Sequence, residues 1–115
     1  MKQLEDNLQA ACVEWFRFQY PHLVIFSIPN GGRRNKIEAA KLKRTGVLAG
    51  VADLCILYSD GGYPMGLFIE IKVEGRKQTD KQIEFEKRIS QYGYYYHVCR
   101  SIEEFMNVVN EYLND

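Results

Sequence analysis

Two apolar stretches on either side of a glycine turn constrain the fold of this chain more than any other feature. Residues 52–58 and 65–73 are rich in branched and aromatic side chains, and Gly61-Gly62 lies between them. This pattern predicts a β-hairpin. If the turn is centred between the two glycines, the register of the strands puts Asp53 opposite Glu70. The hairpin therefore brings two acidic side chains from distant points of the chain together.

The second strand of this hairpin carries charge in an apolar setting. Glu70 and Lys72 lie on the same face, because side chains alternate along a strand. On an exposed strand the two would form an ordinary surface salt bridge. Here the neighbours are Leu67, Phe68, Ile69 and Ile71, and charged side chains are uncommon and costly inside a buried strand. The setting favours a functional role.

Two carboxylates this close repel each other unless one is protonated or a cation lies between them. Oxygen ligands of this type suit Mg²⁺ or Mn²⁺. We therefore predict a metal site formed by Asp53 and Glu70, with the main-chain carbonyl of Ile71 as a further ligand. Lys72 is then a catalytic candidate that holds or deprotonates the attacking water, or stabilises charge on a phosphate.

Helical and strand patterns alternate around the hairpin. Predicted helices cover about 4–19, 34–44 and 79–91 and a last stretch that begins at residue 101, and predicted strands cover 23–28 and 94–99. The order is α-β-α-β-β-α-β-α, and the strands are too apolar to have one face in water. An α/β fold with a central mixed sheet and helices on both sides follows. The 115 residues correspond to one domain, 1–115.

Charge is balanced over the whole chain but not along it. The net charge is zero and the pI is 6.7, which argues against a nucleic-acid binder that relies on bulk charge. Residues 31–46, however, contain six basic residues and one acidic residue: Arg33, Arg34, Lys36, Lys41, Lys43 and Arg44, with Glu38. Such a run is either a solvated helix face or a segment that contacts phosphates. Asn30, in the preceding turn, is typical of a turn residue and is a further candidate contact.

Two polar residues outside the hairpin admit both a structural and a functional interpretation. Gln82 occupies the last position of a capping box that begins at Thr79, and it could also reach a metal-bound water or a phosphate. Glu5 is typical of a solvated acid in the first turn of a helix, and spacing alone favours that interpretation.

Several other classes of protein are disfavoured. Cys12, Cys55 and Cys99 form no CxxC pair, and each lies in an apolar stretch typical of buried thiols in a reducing cytoplasm. The two histidines are too few and too scattered for a histidine metal site. No stretch is apolar enough to span a membrane, and no secretory signal begins the chain.

Apart from the basic residues, the candidate residues fall into five short motifs: Glu5-x-x-Leu8-Gln9, Ile28-Pro29-Asn30-Gly31-Gly32, Gly46-x-x-x-Gly50-x-x-Asp53-Leu54, Glu70-Ile71-Lys72 and Gln78-Thr79-x-x-Gln82. Over about residues 5–113, their order and spacing resemble the VRR-NUC family of virus-type replication-repair nucleases, in its stand-alone phage-like form. This family is part of the PD-(D/E)xK superfamily. It usually has proline before the aspartate, where this chain has Ala52.

The resemblance implies a restriction-endonuclease-like fold and Mg²⁺- or Mn²⁺-dependent cleavage of DNA phosphodiester bonds. It implies that Asp53 and Glu70 bind the metal and that Lys72 is catalytic, and Glu5 and Gln82 fall at matching positions of the site. It further implies a structure-specific endonuclease for branched, Holliday-junction-like DNA in replication, recombination or repair, acting as a homodimer in the cytoplasm of a bacterial or phage-infected cell. No membrane and no organic cofactor are expected.

One alternative is a metal-dependent hydrolase of nucleotides or RNA. The other is a module on the same scaffold that binds nucleic acid or protein without cleaving nucleic acid. Such a module would keep the basic segment, but it would have no need for Asp53, Glu70 and Lys72 together. Their joint presence is the feature that favours an enzyme.

Overall fold

The computed structural model describes residues 2–29 and 35–113. Its elements are α1 (Lys2–Gln19), β1 (Val24–Ser27), α2 (Lys36–Arg44), β2 (Leu54–Asp60), β3 (Tyr63–Ile71), α3 (Asp80–Ser90), β4 (Tyr95–Cys99) and α4 (Ile102–Leu113). This is the predicted order. Within the described residues, no helix combines the length and apolar character that crossing a membrane requires.

The β2–β3 hairpin has the predicted register. Asp60 pairs with Tyr63 and Leu54 with Ile69 in an antiparallel ladder. Gly61-Gly62 forms the turn with φ values of 57° and 88°, a left-handed conformation that favours glycine. The strand β2 begins at Leu54 rather than at Ala52 as predicted, so Asp53 lies directly before the strand.

The four strands form one mixed sheet in the order β1-β2-β3-β4. β1 and β2 pair antiparallel, whereas β3 and β4 pair parallel. A parallel pair needs a crossover connection, and α3 supplies it. Because the crossover leaves from the end of β3, α3 is the first helix after the charged end of the hairpin, and residues 72–79 connect the two.

Helices cover both faces of the sheet, as predicted. On one face, Phe16 of α1 and Phe105 of α4 are fully buried against a cluster that includes Leu54 and Ile69. On the other face, Phe85 of α3 belongs to a smaller cluster with buried Ala52 and Tyr96. The acidic pair therefore lies in a sheet that is shielded from water on both sides.

Three local predictions need correction. The strand at β1 is not buried: of its four residues only Ile25 is, because β1 is an edge strand. Phe18 continues the helical spacing of the apolar residues in α1, which predicts an inward side chain, but it is 87% exposed and Phe16 is buried instead. The helix predicted over 34–44 begins at Lys36, with Asn35 as its N-cap.

Candidate active site

Asp53 is fixed across the open end of the hairpin. Its Oδ2 accepts a hydrogen bond of 2.7 Å from the backbone N–H of Ile71. The carboxyl group is half-buried. One bond thus ties the residue before β2 to the last residue of β3, so the two acidic side chains of the hairpin are brought together as the register requires.

Glu70 is almost fully buried, with 3% of its surface exposed. Its Oε2 accepts a hydrogen bond of 3.0 Å from Nε2 of Gln82. Its Oε1 is buried and has no hydrogen-bond partner in the part of the chain that the structure describes. A buried carboxylate oxygen without a partner carries a large desolvation cost, so this oxygen is suited to an additional ligand.

The surroundings of Glu70 disfavour its charged form. Burial is the largest influence that raises the pKa of this carboxyl group above its ordinary value. The charge and close contact of Asp53 raise this pKa further, as does the charge of Glu5. The nearby Lys72 ammonium acts in the opposite direction. A cation between the acids would reverse the balance in favour of two ionised carboxylates.

Lys72 is buried on the same side of the sheet as Glu70, with 7% of its surface exposed. Its backbone N–H donates to the carbonyl of Cys99 at 3.1 Å. This bond extends the β3–β4 pairing by one residue beyond Ile71. It fixes the backbone from which the Lys72 side chain extends.

Gln82 combines the two roles that the sequence left open. Its Oε1 accepts from the backbone N–H of Thr79 at 2.8 Å, and the Thr79 hydroxyl accepts from the Gln82 N–H at 3.2 Å. The same side chain donates through Nε2 to Glu70. The capping box therefore holds the amide in the orientation that lets it bind the buried carboxylate.

Gln78 has contacts around the site that its place in the sequence did not predict. Its Nε2 donates to Glu86 Oε1 at 3.0 Å and to the Tyr96 hydroxyl at 3.1 Å. These bonds join the segment before α3 to α3 itself and to β4. The available signal was a second glutamine directly before the capping box.

The other predicted residues lie on separate elements. Glu5 is half-buried in the first turn of α1 and influences Glu70 electrostatically. The basic residues of α2 are all exposed, and this helix has no buried residue. They are Lys36, Lys41, Lys43 and Arg44. Asn30, Arg33 and Arg34 lie outside the described residues.

Comparison with known proteins identifies the family. A family model described as the VRR-NUC domain matches residues 3–103. The chain belongs to the VRR-NUC domain family. A solved structure named "VRR_NUC domain protein" is 31% identical and superimposes with a TM-score of 0.72, covering 95% of this chain and 87% of that one. A search of curated proteins found no match.

VRR-NUC membership confirms the predicted fold class, a mixed sheet flanked by helices in the restriction-endonuclease-like arrangement. It also assigns the chain to a family of nucleases. In this VRR-NUC domain the site joins three parts of the chain. Asp53 comes from the segment that leads into β2, Glu70 from β3 and Gln82 from the first turn of α3.

The donor set of this VRR-NUC site fits a hard divalent cation bound by few protein ligands. Residues 2–29 and 35–113 contain no cluster of three or more histidine, cysteine, aspartate or glutamate side chains arranged for a metal. The available donors are Asp53, Glu70 and main-chain oxygens such as that of Ile71. Mg²⁺ is commonly bound through one or two carboxylates and retained waters, so two acids and an unpartnered Glu70 oxygen are compatible with it.

Proposed function

We propose that this VRR-NUC protein is a divalent-metal-dependent endonuclease that hydrolyses phosphodiester bonds in DNA. The observation that carries the proposal is the pairing of half-buried Asp53 with buried Glu70, in which Glu70 Oε1 has no partner among the described residues. Family membership supports the reaction class, since VRR-NUC domains are nucleases. The buried acidic pair supports the dependence on a metal.

Asp53 and Glu70 are the proposed ligands of a Mg²⁺ or Mn²⁺ ion, with the carbonyl of Ile71 as a third donor. When bound, such an ion polarises a phosphoryl oxygen and makes a coordinated water more acidic. The protein fixes one oxygen of each acid in advance: Asp53 Oδ2 through the Ile71 N–H and Glu70 Oε2 through Gln82. This arrangement leaves Glu70 Oε1 for the cation.

Lys72 supplies positive charge at the reacting phosphate. Lys72 is a buried residue whose charge acts on the Glu70 carboxyl group, and a fixed charge shielded from water stabilises developing negative charge strongly. In the proposed reaction a water oxygen bonds to phosphorus and the bond between phosphorus and the 3′ oxygen breaks. The products are a 5′-phosphate and a 3′-hydroxyl.

The proposed substrate is branched DNA, bound through the basic helix α2. This helix presents four basic residues and one acidic residue to solvent, and lysine and arginine bind DNA mainly through phosphates. One small protomer covers little DNA, so cutting both arms of a branched substrate requires two copies, in agreement with a homodimer.

The direct test is cleavage of supercoiled plasmid and of linear, flap and four-way DNA with Mg²⁺ or Mn²⁺. Wild type should cleave, EDTA should stop the reaction, and Glu70→Ala should lower the rate at least about 100-fold. Glu103→Ala, which removes an exposed glutamate of α4, is the matched control and should retain activity.

Intact substrates with wild-type protein under both metals would contradict the proposal. If that protein nevertheless binds DNA, the result would favour the non-cleaving module.

A further inference from the structure

Gly50 lies so close to the first turn of α3 that no side-chain atom fits between them. A Cβ atom built on Gly50 would be 2.3 Å from the carbonyl oxygen of Lys81 and 2.9 Å from the backbone nitrogen of Gln82. Both atoms belong to the backbone and cannot rotate away as a flexible side chain does. Gly50 also has a φ of +86°, so both its conformation and its neighbours favour the absence of a side chain.

The contact joins the two halves of the acidic site. On one side, Gly50 lies three residues before Asp53, and Ala52 between them is fully buried in a cluster with Phe85 of α3. On the other side, the contact is with the peptide group that joins Lys81 to Gln82, and the Gln82 side chain binds Glu70 Oε2 at 3.0 Å. A shift of the α3 first turn away from residue 50 would therefore move Gln82 relative to Glu70.

We infer that Gly50 is a positioning residue, which lets the segment before Asp53 and the first turn of α3 approach closely enough for Gln82 to hold Glu70. The inference rests on the proposed nuclease function for its kinetic consequence, but its structural part stands independently of that function. A Cβ atom added at residue 50 without any adjustment would lie 2.3 Å from the Lys81 oxygen, so the two backbone segments would have to separate until this distance is at least 3.0 Å. Displacements of this order are enough to impair catalysis about 100-fold.

Gly46 offers a matched control four residues earlier in the same segment. It also has a positive φ, +112°, but a Cβ built there meets no atom within 4 Å. Gly46→Ala therefore introduces an unfavourable backbone conformation without a steric contact, whereas Gly50→Ala introduces both. The difference between the two variants isolates the contact with α3.

The first measurement needs no activity. The side-chain amide of Gln82 is observed by ¹H–¹⁵N NMR in the metal-free protein and assigned by its disappearance in Gln82→Ala. We expect Gly50→Ala to shift this signal and Gly46→Ala to leave it in place. The second measurement is cleavage with Mn²⁺, where Gly50→Ala should lower kcat about 100-fold with KM for DNA changed less than threefold, and Gly46→Ala should change neither.

A second pair of variants guards against misfolding. Asparagine tolerates positive φ better than alanine, so Gly50→Asn and Gly46→Asn keep the steric difference with less backbone strain. Equal Gln82 signals in the Gly50 and Gly46 variants would overturn the inference. Failure of both Gly50 variants to fold, with both Gly46 variants folded, would overturn it in favour of a purely structural glycine. If Gly50→Ala shifts the Gln82 signal but the wild-type protein has no nuclease activity, the positioning role is supported and the proposed function is refuted.

Discussion

The Glu70 carboxyl group links the site to the stability of the metal-free fold. Its pKa is raised in the folded protein, first by burial and then by Asp53, so the folded state retains a proton that the unfolded chain releases above the ordinary value of 4.5. The contribution of this group to folding stability is then greatest below that value and falls as the pH rises above it. In EDTA, Glu70→Gln should therefore raise Tm by roughly 5 °C at pH 8 and much less at pH 5.

Thermal unfolding of both proteins between pH 5 and pH 8 measures this difference. Glu103→Gln, at an exposed position of α4, controls for the loss of one negative charge and should give nearly the same shift at both pH values. A Glu70→Gln protein less stable than wild type at pH 8 would mean that the carboxylate is well compensated in the folded state.

Cys12 and Cys99 test the burial of the core on the face of the sheet opposite Glu70, and Cys55 tests the burial of the hairpin on the Glu70 face. Burial raises the pKa of Cys12 to about 12, of Cys55 to about 11 and of Cys99 to about 12. Since only the thiolate reacts with disulfide reagents, the neutral thiols should react at pH 8 at least about 100-fold more slowly in the folded protein than in guanidinium. Rapid labelling of one thiol without denaturant would show that its part of the core opens.

At the scale of elements, α2 is the helix that contributes least to the packed core. None of its residues is buried, so substitutions of its basic residues should change DNA binding without changing stability. Lys43→Ala with Arg44→Ala should reduce the slope of log K against log salt concentration by up to about 2, because each lost phosphate contact releases about one fewer counterion.

The matched control for this prediction is Lys87→Ala with Arg88→Ala. These adjacent basic residues are exposed in the last turn of α3, at the end of that helix opposite Gln82. Their removal should leave the salt slope unchanged. An equal effect of both pairs would indicate a general charge effect, and no effect of the α2 pair would remove this helix from the DNA-binding surface.

The elements differ in how far their sequences determine them. The hairpin register follows from two local features, the Gly61-Gly62 turn and the alternation of side chains, and the opposition of Asp53 and Glu70 follows from that register. The inward face of α1 depends on distant partners: Phe16 is buried in one cluster with Phe105 of α4, and helical spacing alone could not choose it over Phe18.

The contacts that complete the site are also long-range. The capping box of Thr79 and Gln82 is a local motif, and it was predictable as such. That the Gln82 amide also reaches Glu70 depends on how α3 docks on the sheet. The close approach of Gly50 to Lys81 depends on the same docking, and the pattern of glycines in the segment did not reveal it.

At the scale of the whole molecule, the proposed cation would join segments that are distant in sequence and meet only in the folded protein. The proposed ligands Asp53 and Glu70 come from the segment before β2 and from β3, so no short stretch of unfolded chain offers the same donors. A ligand that binds only the folded state stabilises it by mass action: Mn²⁺ at 100 times its Kd should add about 2.7 kcal/mol to the free energy of unfolding, or roughly 10 °C in Tm.

Glu70→Gln should abolish this increase in Tm, and Glu103→Gln should retain it. Differential scanning calorimetry with and without Mn²⁺ measures both variants. Equal increases in the two variants would show that the cation binds away from the acidic pair.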